Sequence, residues 1–298
     1  VALALAGSVR PWLSAWKAAE ETALRGALIW AALAIVLGLL AQAEAWRESL
    51  ESGRPGTGRL TYLTVLLVLA GLVSVLGARN PGGGAWAILM ALLVVVFLIP
   101  WLETAGRLRH GPGVADVQLH SPWTLFYGLL VLAGVTNYLP TRYSPAATAV
   151  GAGLLLEYLG LTRSDWSNLT RTQTWLTVAW TLAAGARFAA FRAERPNAGR
   201  NNLERLWLWF RDHWGVVWAL RVQERFNRSA ELARWPSRLT WFGLSPISES
   251  EEDRSTELPS AAEATLRGLL RRFVTPERVE ALLVRKEAES CQPQEPAG

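Results

Sequence analysis

TWLTVAWTLAAGARFAAF (Thr174–Phe191), followed by LERLWLWFRDHWGVVWALRVQERF (Leu203–Phe226), is the stretch on which the reading of this chain turns. The first run is apolar over 18 residues. At 1.5 Å rise per residue it covers ~27 Å, close to the ~30 Å of hydrocarbon a bilayer presents. It ends in Arg187, Arg192, Arg195, Arg200 and Arg205, with only Glu194 and Glu204 among them. In the second run Leu203, Trp207, Phe210, Trp214 and Val217 recur at helical spacing, and Arg221, Arg225 and Arg228 continue that stripe. A stripe that turns from apolar to basic is the pattern of a helix lying on a membrane surface or docking on an acidic partner.

Five further apolar runs precede it: Leu24–Ala43, Leu60–Gly77, Ala85–Leu102, Pro122–Leu139 and Ala146–Leu161. In hydrocarbon every backbone amide needs an internal partner, so such runs read as helices. The predicted fold class is all-α: a polytopic membrane protein with six transmembrane helices, an interfacial Trp/Arg-rich amphipathic helix and a small helical cytoplasmic tail. The expected segments are an N-terminal interfacial stretch (1–23), the six-helix domain (24–193), the basic-aromatic helix and turn (194–247), and an acidic linker with a helical tail (248–298). Short loops rich in arginine face the cytoplasm. The collar at Arg187–Arg205 and the group Arg10, Lys17 and Arg25 therefore place both termini inside a bacterial inner membrane. In the tail, Thr275 is positioned as an N-cap and Pro276 as the first helical residue.

Composition agrees with that picture. Hydrophobic residues make up 51% of 298, and the 18% that are charged fall mostly outside the runs. The pI near 9.9 comes almost wholly from arginine. Beside a membrane, such basicity marks contact with anionic headgroups rather than with nucleic acid. Cys291 is the single cysteine, which excludes an internal disulfide and a cysteine-based metal site within one chain.

Candidate site residues are few. Glu157 is the one acid well inside a run, and intramembrane carboxylates mark ion or proton paths. With Arg187, and with Thr136, Asn137 and Thr181 as sparse polar neighbours, it forms a possible intramembrane polar site. His110 and His120, ten apart in a Gly/Pro loop, are the only histidines that could serve a cofactor on the outer face, and no cofactor is named by any motif. Trp207, Trp214, Trp218 and Trp235, with Arg221, Arg225 and Arg228, form the expected partner- or lipid-binding surface. There is no phosphate loop, no HExxH and no GxSxG elbow. No lysine or histidine lies within a run. The expected function is a non-catalytic accessory or scaffolding subunit whose partners are other membrane proteins and anionic lipid. The alternatives are a small transporter or channel using Glu157, and a membrane-bound enzyme or cofactor-handling factor using His110 and His120.

Overall fold

A computed structural model describes residues 13, 15–51, 58–79, 84–107, 119–162, 201–247 and 260–290. The chain forms two compact units. The first holds residues 1–20, 24–78 and 83–195, the second 21–23, 79–82 and 196–298.

In the first unit the described helices are α1 (Arg25–Glu51), α2 (Gly58–Leu76), α3 (Gly84–Phe97), α4 (Ile99–Arg107), α5 (Trp123–Thr136) and α6 (Ser144–Thr162). Helix α2 is central: it packs along α1 and also touches α3 and α5, while α6 packs on α5. The seams are close because small residues line them. A Cβ on Gly134 would meet Leu72 at 2.9 Å, and one on Gly151 would meet Val135 at 3.0 Å. Pro100 has no N–H to donate, and the helix breaks at Leu98, between α3 and α4. The Tyr62 hydroxyl donates to the Phe97 carbonyl at that break, 2.7 Å away. Tyr62, Val65, Leu66, Leu69, Phe97 and Tyr127 form the centre of the core.

The surface of this unit is apolar over long stripes, as its core is. Ile29, Leu33, Val36 and Leu40 make an exposed stripe on α1. Ile88, Leu92, Val95, Ile99 and Leu102 on α3 and α4, and Leu125, Leu129 and Leu132 on α5, are also exposed. Thr61, Thr64, Ser74, Asn137 and Glu157 are buried.

Six transmembrane helices are not supported. Among the described residues one helical stretch, Gly84–Glu103, is long and apolar enough to cross a membrane. Arg25–Ala41, Leu60–Leu76 and Trp123–Thr136 are apolar over shorter lengths. The 14 residues of α5 rise only ~21 Å, and α6 carries Ser144, Pro145, Thr148 and Glu157 within its length. The run Thr174–Phe191 lies outside the described residues. One such helix is weak evidence for membrane association, and neither the multi-pass topology nor the side of the termini follows from it.

In the second unit the described elements are α7 (Asn202–Leu232), a hairpin of β1 (Ser237–Thr240) and β2 (Gly243–Pro246), α8 (Ser260–Leu270) and α9 (Pro276–Ser290). Asn201 caps α7, its side chain accepting from the Glu204 amide at 2.8 Å. Helix α7 is interrupted at Gly215, where φ is 75° and ψ −172°. The buried positions before the break are Leu203, Leu206, Trp207, Leu208, Phe210, Asp212 and Trp214, and those after it Trp218, Ala219, Val222, Phe226 and Ala230. The stripe expected to run through Val217 and Arg221 instead runs one residue later.

The hairpin is bound to α7 by side chains. The Asn227 amide accepts from Leu239 N at 2.7 Å and donates to Leu239 O at 2.9 Å, and Gln223 donates to the same carbonyl. Trp207 donates to Thr240 O and Arg211 to Trp241 O. The Glu204 carboxylate accepts from Leu244 N at 2.9 Å. Leu239 and Leu244 face each other in the hairpin. Glu204 and Asn227 therefore stand at most roughly 23 Å apart, although an unbroken helix would separate them by ~34 Å. The break at Gly215 bends α7 around the hairpin.

Residues 21–23 complete this unit. Thr22 pairs with Val274 in an antiparallel bridge, Ala23 N donates to Phe273 O, and Thr275 N donates to Glu21 O.

The backbone at Gly215 occupies a region that side chains with a Cβ do not tolerate. Gly215→Ala is expected to destabilise the second unit by about 1–3 kcal/mol, read as a lowered thermal midpoint in the tryptophan near-UV CD signal. An unchanged midpoint would mean that the bend does not depend on glycine.

Candidate functional site

The tryptophans expected at a docking surface are core residues. Trp207 and Trp214 are wholly buried, and Trp218 and Trp235 nearly so. Phe210 stacks on Trp214 with ring centroids 5.0 Å apart, and Phe273 meets Phe210, Trp214 and Trp218 edge-on. Phe226 contacts Trp235. The expected aromatic docking surface is thus the unit's own interior, for a simple reason: large rings that find partners on α8 and the hairpin gain more by burial there than at an interface.

The arginines part from the rings. Arg221, Arg225 and Arg228 are exposed and share one face of α7 with Val217, Leu220 and Glu224. Arg221 lies over the Trp218 ring at 5.0 Å, and Arg79 lies over the same ring at 5.6 Å. The buried edge of the aromatic core thereby orients one cation of the exposed face.

A buried ion pair escaped the sequence reading. Asp212 accepts from Arg211 Nε at 2.9 Å and Nη2 at 2.7 Å, and Arg211 also lies over the Trp241 ring at 5.3 Å. Its only sequence signal was an Arg-Asp dipeptide inside an aromatic run, which reads equally well as solvated. His213, beside it, donates from Nδ1 to Trp209 O at 2.7 Å and leans on the Trp209 ring.

In the first unit, Glu157 shares a core-facing stripe of α6 with Val150 and Leu154. The Tyr127 hydroxyl donates to Leu154 O at 3.2 Å, and its ring stacks on Tyr158 at 5.5 Å. Glu157 Oε1 is buried without a hydrogen-bond partner. Asn137 is buried at the end of α5, whereas Thr136 is exposed and turns its hydroxyl to Leu132 O of its own helix. Arg187, Thr181 and His110 lie outside the described residues. His120 is exposed, and its carbonyl accepts from Trp123 N at the start of α5. The described residues contain no group of three His, Cys, Asp or Glu placed to hold a metal.

Two substitutions separate core from surface in the second unit. Trp214→Ala is expected to cost about 3–5 kcal/mol, as for other buried aromatics. Arg225→Gln should stay within about 0.5 kcal/mol of the parent. Both are measured by denaturant unfolding of the purified protein in mild detergent, and equal losses would contradict the division of roles.

Compared with known proteins, the chain matches no family, no curated protein and no solved structure.

Proposed function

We propose that this protein is a non-catalytic accessory subunit of a membrane-associated assembly. Its first unit seats it at the bilayer, and the arginine face of its second unit docks on a negatively charged partner subunit. The observation that carries the reading is the apolar surface of the first unit. Leucine, isoleucine and valine form stripes on the outside of α1, α3 and α5, while threonine, serine, asparagine and glutamate lie inside. In water an exposed apolar surface of this kind marks an interface with lipid or protein. The stretch Gly84–Glu103 would cross the hydrocarbon, and the shorter stripes would lie against lipid or against helices of a partner.

Two features favour a docking role over chemistry. The polar groups of the second unit are spent on holding the hairpin to α7, as the bonds of Glu204, Arg211, Gln223 and Asn227 show. Exposed charge on α7 is gathered on one face, where three arginines (Arg221, Arg225 and Arg228) outnumber two glutamates (Glu224 and Glu231). Such a patch steers association and fixes register with an acidic counterpart.

The test is extraction of the tagged, full-length protein from its native membrane in mild detergent, followed by native sizing and identification of co-eluting chains. The expected result is a particle larger than one chain with stoichiometric partners. The variant carrying Arg221→Gln, Arg225→Gln and Arg228→Gln should release them, each exposed contact contributing up to ~1 kcal/mol. A lone chain, or recovery of the folded protein without detergent, would overturn the proposal.

A further inference from the structure

The Glu157 carboxyl is the one buried acid of the first unit that nothing in the fold employs. It is 7% exposed, and Oε1 has no partner. The hydroxyls of Tyr127 and Tyr62 are committed elsewhere. Tyr127 of α5, the nearest titratable group across the seam, gives its hydroxyl hydrogen to Leu154 O. Tyr62 of α2, on the far side of Tyr127, gives its own to Phe97 O. Tyr158, on the same helix, is engaged by its ring face with Tyr127. No arginine, lysine or histidine among the described residues is paired with Glu157.

An ionised carboxylate in that setting would carry the full cost of desolvation with no compensating charge or hydrogen bond. Neutralisation removes that cost, and a proton or an alkali cation supplies it. The geometry points to Glu157 as a reversible binding site for a monovalent cation, with the carboxyl oxygen as its anchor and the α5–α6 seam as its wall. The shared chemistry is neutralisation of one carboxylate, and the proton and the sodium ion are its two sources. This inference is independent of the subunit reading above, since it concerns the interior of the first unit and needs no partner.

Infrared difference spectroscopy of the purified full-length protein in detergent tests it, with Glu157→Gln as the reference. A neutral carboxylic acid shows a carbonyl stretch well separated from the carboxylate bands. The expected result is an acid carbonyl band present in the parent, absent in Glu157→Gln, and lost as pH rises from about 5 to about 9. If the proton is the ligand, sodium chloride and choline chloride give the same titration. If sodium is the ligand, sodium but not choline abolishes the acid band at a pH where it otherwise persists, and replaces it with a carboxylate band. Either result supports the site. A parent spectrum indistinguishable from that of Glu157→Gln across this range, in both salts, would overturn the proposal. The mutant's thermal midpoint should match or exceed that of the parent, because the amide removes an acid and keeps the shape. A fall in the midpoint comparable to that of a buried truncation would instead assign Glu157 a structural role.

Discussion

A helix buries one stripe, and a stripe can change phase only where the backbone allows it. In the second unit that place is Gly215, whose φ of 75° no residue with a Cβ adopts without strain. From this one torsion follow the bend of α7 and the closure of both arms on the hairpin. The aromatic cluster then fills the space the bend encloses, with Phe273 set among Phe210, Trp214 and Trp218. The energetic weight of the unit is in those rings, since each aromatic side chain buries some 150–250 Å². The hydrogen bonds from Glu204, Trp207, Arg211, Gln223 and Asn227 fix where the hairpin lies rather than how strongly the unit holds.

The first unit obeys a different constraint. Its helices meet through small residues, as Gly134 on Leu72 and Gly151 on Val135 show, and backbones that approach so closely leave little room for large side chains between them. Leu66, Leu69 and Leu154 fill the core, and other leucines and isoleucines face outward. The same packing turns Thr61, Thr64 and Ser74 inward, where a threonine or serine can satisfy its hydroxyl on the backbone of its own helix, as Thr64 does with Leu60 O.

Much of this was legible in the residues, and the failures have physical causes. Five of the apolar runs do form helices over nearly the expected bounds, because apolar content and Gly/Pro punctuation are local signals. Whether a helix crosses a bilayer is not local. It depends on unbroken apolar length, which the 14 residues of α5 do not reach and which Glu157 interrupts in α6. The helix over Asn202–Leu232 was readable from its 3.6-residue period. Its environment was not. A stripe of tryptophans reads the same whether it faces headgroups or Phe273, and the partner lies some sixty residues further along the chain. Glu157 was visible as an odd residue, but only the commitment of the Tyr127 and Tyr62 hydroxyls shows that it stands unpaired. Trp86, whose indole covers Gly77 and donates to Ser74 O at 3.1 Å, had no signal beyond a glycine-rich turn.

The side chains that fasten the hairpin also change what it offers to other chains. A two-stranded ribbon has two open edges, each a template on which a foreign strand can add. Here Asn227 and Gln223 occupy the outward amide and carbonyl of Leu239, and Glu204 occupies the outward amide of Leu244. The helix thus impersonates a neighbouring strand on both flanks at once. A pair of four-residue strands in a chain this rich in β-prone tryptophan is in this way closed to polymerisation.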